Sequence, residues 1–547
     1  MKKGMAILIS FIMAVVVLPS TVHGADDGGF EVTETSRFFI ASDEEPDKEL
    51  KRVVKLFDSQ FSAAGVPSEE QLMIVRDKRK RAKAGDIAII VDPEYKTGLA
   101  NSHAQGYTMT LADDGVLEIT AGTNAGVQYA LTDLLQRSLA GDPIRQTIQE
   151  APQAKERTLL LDCGRKYYSK NWIENLIKRM SWQRYTSLHL HFSDNEGMGF
   201  ESKLYPWLTM EESLSYEDLE SICATARQYN IEIIPELDSP GHLGYIIAKY
   251  AEHAAADPSF TYEYESNTYD AYRTKTIGKA PKYEAIDLDN YAARAFVGSL
   301  IDEYADFFKS QGCTKFGIGG DELTFAGGTP SDTFIGYLND LNRHLRKKGY
   351  TCRVWNDEIH RSSMQQVQLD KNIDIIYWSN SYAPVMDLVA DGNRIHNSNT
   401  QWCYYVIRED SAGGDIMDRT RRFCNGQYIY ENWNIRNCAN PEQMESLIPE
   451  DSFAGGYLCI WADRPDYKIS SQVWEETSMR TWANSAKLWD SDIDQKMAYN
   501  EFGIRVEKYG PFPGFCGNCD MESKLPLSNK IQGPMGLFDR IIQFFNK

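Results

Sequence analysis

Short apolar runs alternate with helix-like stretches from residue 158 onward, and this alternation dominates the chain. Alternating strands and helices predict a parallel α/β sheet. Eight such repeats predict a closed (β/α)8 TIM barrel. The predicted strands are 159–163, 187–192, 231–237, 316–319, 352–355, 373–378, 394–406 and 455–461. Helices are predicted at 172–182, 217–229 and 291–308.

Residues 26–152 show a different pattern, which predicts a small α+β domain ahead of the barrel. Apolar positions alternate within short segments, as in half-buried strands. Asp113, Asp114 and Gly115 separate two of these segments, which predicts a hairpin. An amphipathic helix is predicted to begin near Asn124.

The barrel is assigned to residues 153–490, which leaves 491–547 as a helical C-terminal extension. The last part of this extension, 537–545, alternates apolar and polar positions as an amphipathic segment does. Such a segment can dock on the barrel or lie on a membrane surface. Docking on the barrel is the favoured interpretation.

Residues 1–25 have the pattern of a secretion signal peptide. Lys2 and Lys3 precede an apolar run at 5–18, and small residues follow near position 25. The run has about 14 residues, and a membrane span needs roughly 20. We therefore expect a secreted, extracellular protein with no transmembrane span in the mature chain, with an uncleaved anchor as the weaker alternative.

The composition limits the possible partners of the protein more than it limits the possible folds. The 547 residues contain 58 Lys and Arg against 78 Asp and Glu, a net charge of −20. This charge repels nucleic acid and anionic lipid, so no nucleic-acid partner is expected. Most of the 10 cysteines lie singly, and several of these sit in apolar runs and are expected to be buried thiols. Cys516 and Cys519 fit a local disulfide or two free thiols better than a zinc site.

Polar and aromatic residues follow the predicted strands, at the end of a (β/α)8 barrel that carries its chemistry. In strand order they are Arg165, Asp194, Asp238 with His242, Asp321 with Glu322, Trp355 with Asp357, Trp378, Tyr404, and Trp461 with Asp463. Adjacent carboxylates such as Asp321 and Glu322 disfavour joint ionisation, so one proton is expected to be retained. A retained proton is what a general acid needs. An exposed acidic turn is the alternative interpretation of the pair.

These residue types favour glycoside hydrolysis. The chain has no His, Cys and Asp group with metal-ligand spacing and no Gly-rich phosphate loop, so neither a metal nor an organic cofactor is expected. His189 and His191 alternate along a strand, where packing is the plainer role. Consecutive carboxylates cannot easily flank a sugar ring. They suit the mechanism in which the substrate's own 2-acetamido oxygen is the nucleophile.

Four motifs resemble, in order, those of family 20 glycoside hydrolases, which include β-N-acetylhexosaminidases and lacto-N-biosidases. The motifs are LHLHFSD at 188–194, IPELDSPGH at 234–242, GGDE at 319–322 and WNDE at 355–358. The resemblance covers roughly residues 80–490, including the small preceding domain. It implies a secreted enzyme whose partner is an oligosaccharide or glycan substrate.

The resemblance also implies roles for the polar residues at the strand ends. Asp321 would polarise the acetamido nitrogen, and Glu322 would act as the acid/base. Arg165 would hold ring hydroxyls of the sugar. Asp194 and His242 would form a relay that tunes Glu322.

The aromatic residues would form the pocket, again as the resemblance implies. Tyr404 would donate a hydrogen bond to the acetamido oxygen. Trp355, Trp378 and Trp461 would form walls around the N-acetyl group and the sugar. Simple core packing is the alternative role of the three tryptophans.

Two positions depart from the pattern usual in exo-acting hexosaminidases. Their Tyr-x-Asp on the seventh strand is Tyr404-Tyr405-Val406 here, and their Trp-x-Glu on the eighth is Trp461-Ala-Asp463. Both changes remove reach near the far hydroxyls of N-acetylglucosamine, so a sugar attached there can be admitted, and Asp463 could hold it. This favours a lacto-N-biosidase that releases Gal-β1,3-GlcNAc over an exo-β-N-acetylhexosaminidase. An inactive sugar-binding barrel is the alternative from another class.

Overall fold

The fold comes from a computed structural model that describes most of the chain. The described residues are 28–42, 46–253, 285–323, 332–360, 366–407, 424–438 and 452–515. Four features predicted above lie outside them: the signal segment 1–25, Cys516, Cys519 and the amphipathic segment 537–545.

The N-terminal domain is built on a six-stranded sheet. In spatial order its strands are Met73–Asp77, Arg37–Ala41, Ile87–Val91, Leu117–Ala121, Tyr107–Leu111 and Ile148–Glu150. The predicted hairpin is present, because Tyr107–Leu111 and Leu117–Ala121 pair antiparallel. The helices of this domain are Lys48–Ala63, Ser102–Gln105 and Asn124–Ala140.

Helix Asn124–Ala140 connects the N-terminal sheet to the barrel. Thr123 caps its first turn by accepting a hydrogen bond from the Gly126 N–H at 3.3 Å. On the barrel side, the Gln128 amide donates to the Ser181 hydroxyl at 3.0 Å. Apolar residues of the helix share one core with the sheet and with Trp182 of the barrel. Burial on both sides explains why polar residues of this helix are also inaccessible.

The predicted (β/α)8 barrel is confirmed. Its eight parallel strands are Glu156–Asp162, Ser187–His191, Glu232–Glu236, Lys315–Gly317, Thr351–Trp355, Asp374–Tyr377, Arg394–Asn397 and Phe453–Trp461, and the seventh and eighth pair to close it. The longer helices around them are Lys170–Trp182, Tyr216–Gln228, Gly244–His253, Tyr291–Ser310, Asp332–Lys347 and Ser470–Trp489, with shorter ones at Val385–Asp391 and Gly426–Asn432.

The seventh strand differs from the prediction of one strand over 394–406. The structure has two short strands, Arg394–Asn397 and Tyr404–Val406, with the helical turn Thr400–Cys403 between them. Asn399 causes the break, because its side chain caps the turn by accepting a hydrogen bond from the Gln401 N–H at 3.1 Å. The second segment pairs with the C-terminal half of strand Phe453–Trp461.

The described part of the C-terminal extension is helical, with Ile493–Lys496 and Tyr499–Tyr509. Beyond it, Phe512 joins the core of the N-terminal domain, and the Trp182 indole donates to the Gly510 carbonyl at 3.2 Å. This part of the extension therefore contacts both domains. The eight described cysteines are buried free thiols, as expected of the single ones. Among the described helices, none is both long and apolar enough to cross a membrane.

Candidate active site

The fourth barrel strand ends in a turn that presents both predicted carboxylates. Gly319 and Gly320 have positive φ angles of 75° and 95°. A Cβ at Gly319 would lie 1.7 Å from Oδ1 of Asp238, so the close approach there is to the protein and not to a ligand. Asp321 is largely buried, with 14 % of its side chain exposed, whereas 55 % of the Glu322 side chain is exposed. The partner that faces solvent is the predicted acid/base.

His242 joins the two carboxylates to Asp194. Its Nε2 lies 3.5 Å from Asp321 and 3.3 Å from Glu322, and its Nδ1 lies 3.0 Å from Oδ1 of Asp194. Burial alone would lower the pKa of His242, but Asp194 and Asp321 outweigh it and hold the pKa well above its ordinary value. The predicted arrangement of Asp194, His242 and Glu322 is therefore assembled around an imidazolium.

Asp194 is held by three cationic groups. Arg165 approaches its Oδ2 at 2.8 Å, His191 approaches the same oxygen at 2.9 Å, and His242 takes Oδ1. Burial opposes ionisation, yet Arg165 and His242 keep the pKa of Asp194 well below its ordinary value. Asp194 is thus a fixed carboxylate behind the His242 ring.

His191 and Glu236 are site-linked residues that the sequence did not identify. His191 contacts carboxylates with both ring nitrogens, because its Nδ1 lies 2.6 Å from Glu236. Glu236 also lies 3.3 Å from His189, whose Nδ1 is 3.2 Å from the Tyr457 hydroxyl. Packing was the plainer role expected for the two histidines, but both also make polar contacts. They link the site to a polar network inside the barrel.

The carboxylate that most perturbs Asp321 is Asp238, not its neighbour Glu322. Burial and then Asp238 hold the pKa of Asp321 well above its ordinary value, against the opposing charge of His242. Burial likewise raises the pKa of Asp238 to about 6. A retained proton was predicted on the Asp321–Glu322 pair. The raised pKa values of Asp321 and Asp238 instead favour a proton retained by these two carboxyl groups, and Asp238 belongs to another strand end.

The four aromatic residues predicted to form the pocket lie together in one cluster of rings. The Trp355 and Trp461 ring centroids lie 5.7 Å apart, and Tyr404 lies 5.7 Å from Trp461. Tyr404 stacks on Trp378 at 6.2 Å with an interplanar angle of 8°. The buried indole nitrogen of Trp355 has no hydrogen-bond partner in the described part of the chain, whereas the Trp461 indole hydrogen-bonds to Tyr404. The Trp355 ring therefore combines an apolar wall with a donor that a bound ligand can use.

Arg165 and Asp463 lie near the same wall. The Arg165 guanidinium is 5.7 Å from the Trp461 ring centroid and forms ion pairs with Asp162, Asp194 and Glu196 at 2.8–3.1 Å. These carboxylates engage all three of its nitrogens, so the predicted contact with sugar hydroxyls depends on its remaining N–H groups. Asp463 adds to the negative field that raises the pKa of Arg165.

Tyr404 and Val406 alternate with Tyr405 along one short strand, so they share a face. Both pack against the aromatic cluster of Trp355 and Trp461. Tyr405 faces the opposite way, and its hydroxyl donates to Glu476 at 2.7 Å. The position that bears an acid in exo-acting hexosaminidases is therefore an apolar part of the pocket wall here.

Asp238, His242 and Asp321 lie close enough to share a metal ion, although sequence spacing gave no sign of it. Both ring nitrogens of His242 already face carboxylates. That environment favours the imidazolium, which cannot bind a metal. The group is better described as an acid–base network than as a metal centre.

Comparison with known proteins identifies the family. A family model described as glycosyl hydrolase family 20, catalytic domain, matches residues 155–491. The chain belongs to this family. The match confirms the predicted resemblance, and the matched range contains every candidate site residue.

Two curated relatives represent the two activities that the sequence left open. A lacto-N-biosidase of Bifidobacterium bifidum is 26% identical over 485 residues, which cover 83% of this chain and 39% of that protein. Beta-hexosaminidase subunit A1 of Dictyostelium discoideum is 24% identical over 403 residues, covering 69% of this chain and 65% of that protein. The chain thus spans less than two thirds of the length of either relative.

Solved structures of family 20 proteins share the fold. The β-N-acetylhexosaminidase of Streptomyces coelicolor A3(2) superposes with a TM-score of 0.63 at 18% identity, covering 88% of this chain and 92% of that one. The enzyme of Bacteroides fragilis NCTC 9343 gives 0.63 at 17% identity, covering 89% and 94%. At these identities the likeness concerns the architecture alone.

The Asp238–Asp321 pair predicts the acid limb of the pH profile. With two protons on the pair, Asp321 is neutral and cannot accept the acetamido N–H as a carboxylate. Burial and the Asp238 charge hold the pKa of Asp321 well above its ordinary value, so kcat/KM should rise with pH above the ordinary carboxyl range as Asp321 ionises. Asp238→Asn removes the like charge, which should move the acid limb to lower pH. Profiles of kcat/KM for both proteins test this, and an unmoved limb would contradict it.

Proposed function

We propose that this chain is a retaining glycosidase that cleaves β-linked N-acetylglucosamine glycosides with the help of the substrate's acetamido group. One observation carries the proposal: a buried carboxyl and an exposed one, Asp321 and Glu322, stand on one strand end beside a single imidazolium, His242. Their exposure differs as the two roles require. The buried Asp321 contacts the acetamido nitrogen of the substrate, and the exposed Glu322 contacts the leaving oxygen.

In the first step the acetamido oxygen attacks C1 of the sugar. Asp321 accepts the N–H hydrogen bond and stabilises the positive charge that develops on the acetamido group. The bond from C1 to the leaving oxygen breaks, and Glu322 transfers its proton to that oxygen. The products are an oxazolinium ion and the free aglycone.

In the second step water attacks C1 from the face that the aglycone left. Glu322, now a carboxylate, takes the proton of that water. The C1–O bond to the acetamido oxygen breaks, and the sugar is released with its original anomeric configuration. His242, held by Asp194, lies 3.3 Å from the Glu322 carboxyl and can donate a hydrogen bond to it in this step.

The finer proposal is that the released unit is Gal-β1,3-GlcNAc, as a lacto-N-biosidase requires. Val406 is an apolar part of the pocket wall and cannot hold sugar hydroxyls by hydrogen bonds. Asp463 stays near Arg165, where it can hold a further sugar. The similarity to a named lacto-N-biosidase over 83% of this chain supports the same choice.

Two chromogenic substrates separate the two specificities. We expect the protein to release p-nitrophenol from p-nitrophenyl lacto-N-bioside faster than from p-nitrophenyl N-acetylglucosaminide, because its pocket lacks the acid that would clasp the bare sugar. Val406→Asp should shift this ratio toward the monosaccharide, and Val406→Asn should shift it less. Release from the monosaccharide substrate alone would refute the lacto-N-biosidase proposal in favour of an exo-hexosaminidase. Tight binding of both without turnover would instead indicate a sugar-binding barrel.

We also propose that the protein is exported and acts outside the cytoplasm. The proposal rests on the charged start, apolar core and small residues of segment 1–25. N-terminal sequencing of the protein from the culture medium or cell envelope tests it. A chain that retains residues 1–25 and stays in the cytoplasm would contradict it.

A further inference from the structure

Asp357 occupies a junction between three parts of the site. It follows strand Thr351–Trp355 and is buried, with 1 % of its surface exposed. The backbone N–H of Glu322 donates to its Oδ1 at 3.0 Å. The Trp378 indole N–H donates to its Oδ2, and the Tyr382 hydroxyl also hydrogen-bonds to its carboxyl. The Asp357 carboxyl thus contacts the predicted acid/base Glu322, the pocket residue Trp378 and the neighbouring Tyr382.

The Glu322 backbone needs such a contact. Its φ angle is 50°, in the left-handed region that residues other than glycine rarely adopt. A residue held there persists when surrounding contacts fix it. The bond to Asp357 is a contact of that kind, since it comes from the next strand of the barrel and ends on the Glu322 amide itself.

We propose that Asp357 is a positioning residue for the acid/base of this site. Its Oδ1 fixes the Glu322 peptide so that the carboxyl faces His242 and the leaving oxygen, while its Oδ2 orients Trp378. The inference rests on the proposed glycosidase function. It assigns to Asp357 no contact with the substrate.

A displaced acid has a consequence that general damage to the pocket does not have. A sugar aglycone leaves as a poor alcohol and needs the proton of Glu322. A 2,4-dinitrophenolate leaves without a proton, so its release is insensitive to the position of the acid. Loss of Asp357 should therefore slow the release of a sugar aglycone much more than the release of 2,4-dinitrophenolate. Damage to the sugar-binding pocket would slow both alike.

The experiment compares the two leaving groups in Asp357→Ala, Asp357→Asn and wild type. We expect Asp357→Ala to lower kcat/KM for a GlcNAc-linked oligosaccharide by about 10²-fold, the lower end of what a general acid supplies. The dinitrophenyl substrate should be little affected. Asp357→Asn keeps the shape and one acceptor oxygen, so its loss should be smaller and should show the same dependence on the leaving group. It also serves if Asp357→Ala does not fold.

Two control variants complete the test. Trp378→Phe removes the second hydrogen bond of Asp357 but leaves the bond to Glu322 in place, so its loss should not depend on the leaving group. Asp370→Asn changes a half-buried aspartate that contacts Asn342 and lies outside the site. It should match wild type. Equal losses of Asp357→Ala and Asp357→Asn on both leaving groups would overturn the inference. A wild-type protein inactive on both substrates would overturn the proposed function and the inference with it.

Discussion

Replacement of Glu322 by glutamine is expected to lower kcat/KM for a sugar aglycone by about 10²–10⁴, the usual contribution of general acid–base catalysis. The amide has nearly the same shape as the carboxyl group but cannot give a proton to the leaving oxygen. Glu322 lies 3.3 Å from His242 and is half exposed, so its carboxyl is accessible to a leaving oxygen. Initial rates of aglycone release from a natural oligosaccharide measure the effect.

The dependence on the leaving group separates loss of the acid from loss of folding. With a 2,4-dinitrophenyl aglycone, Glu322→Gln should still form the oxazolinium ion. The second step, the attack of water without a general base, should then limit the rate of turnover. Azide needs no base, so its addition should restore turnover and give a β-glycosyl azide. Glu507→Gln, on the exposed face of helix Tyr499–Tyr509, is the matched control. Near-normal activity of Glu322→Gln on the natural oligosaccharide would overturn the assignment.

The sequence predicted the barrel because its strands are apolar runs that alternate with helix-like stretches, and such runs carry their own signal. It failed at the seventh strand for a local reason. The Asn399 cap acts through one hydrogen bond, and a single Asn in a polar stretch is common in loops as well as at helix starts. The hydrophobic pattern therefore did not separate the two short strands from one long strand.

The site was predicted as far as positions along the strands allow. Asp321, Glu322, His242 and Asp194 lie shortly after the ends of their strands, so the closure of the barrel was enough to bring them together. The partner of Asp321 was not predictable in this way. Asp238 reaches it only because Gly319 lacks a side chain.

The roles of His191 and Asp357 depend on contacts that strand order does not give. His191 is defined by its two carboxylate partners, Asp194 and Glu236, which belong to separate segments. Asp357 is defined by the N–H of Glu322 on the neighbouring strand end. Side-chain direction and the left-handed turn at Glu322 had to be known first, and neither has a signature in sequence.

Replacement of Asp321 by asparagine is expected to lower kcat/KM by about 10²–10³, the usual cost of removing one preorganised electrostatic contact to a transition state. The asparagine keeps the shape of the side chain but has no negative charge for the developing oxazolinium ion. Because this charge develops on the acetamido group whichever aglycone departs, the loss should be similar for a sugar and for a dinitrophenyl leaving group. Parallel rate measurements on the two substrates test this.

A thiazoline mimic of the oxazolinium ion gives a second measurement that needs no turnover. Asp321→Asn should bind it more weakly than wild type, whereas Asp238→Asn should bind it well at a pH above its acid limb, because Asp321 is intact there. Asp321→Asn and Glu322→Gln then differ in kind, because only the activity loss in Glu322→Gln depends on the leaving group. If the loss in Asp321→Asn disappeared with the dinitrophenyl substrate and thiazoline binding stayed unchanged, Asp321 would be the acid. The roles of the two carboxyl groups would then be exchanged.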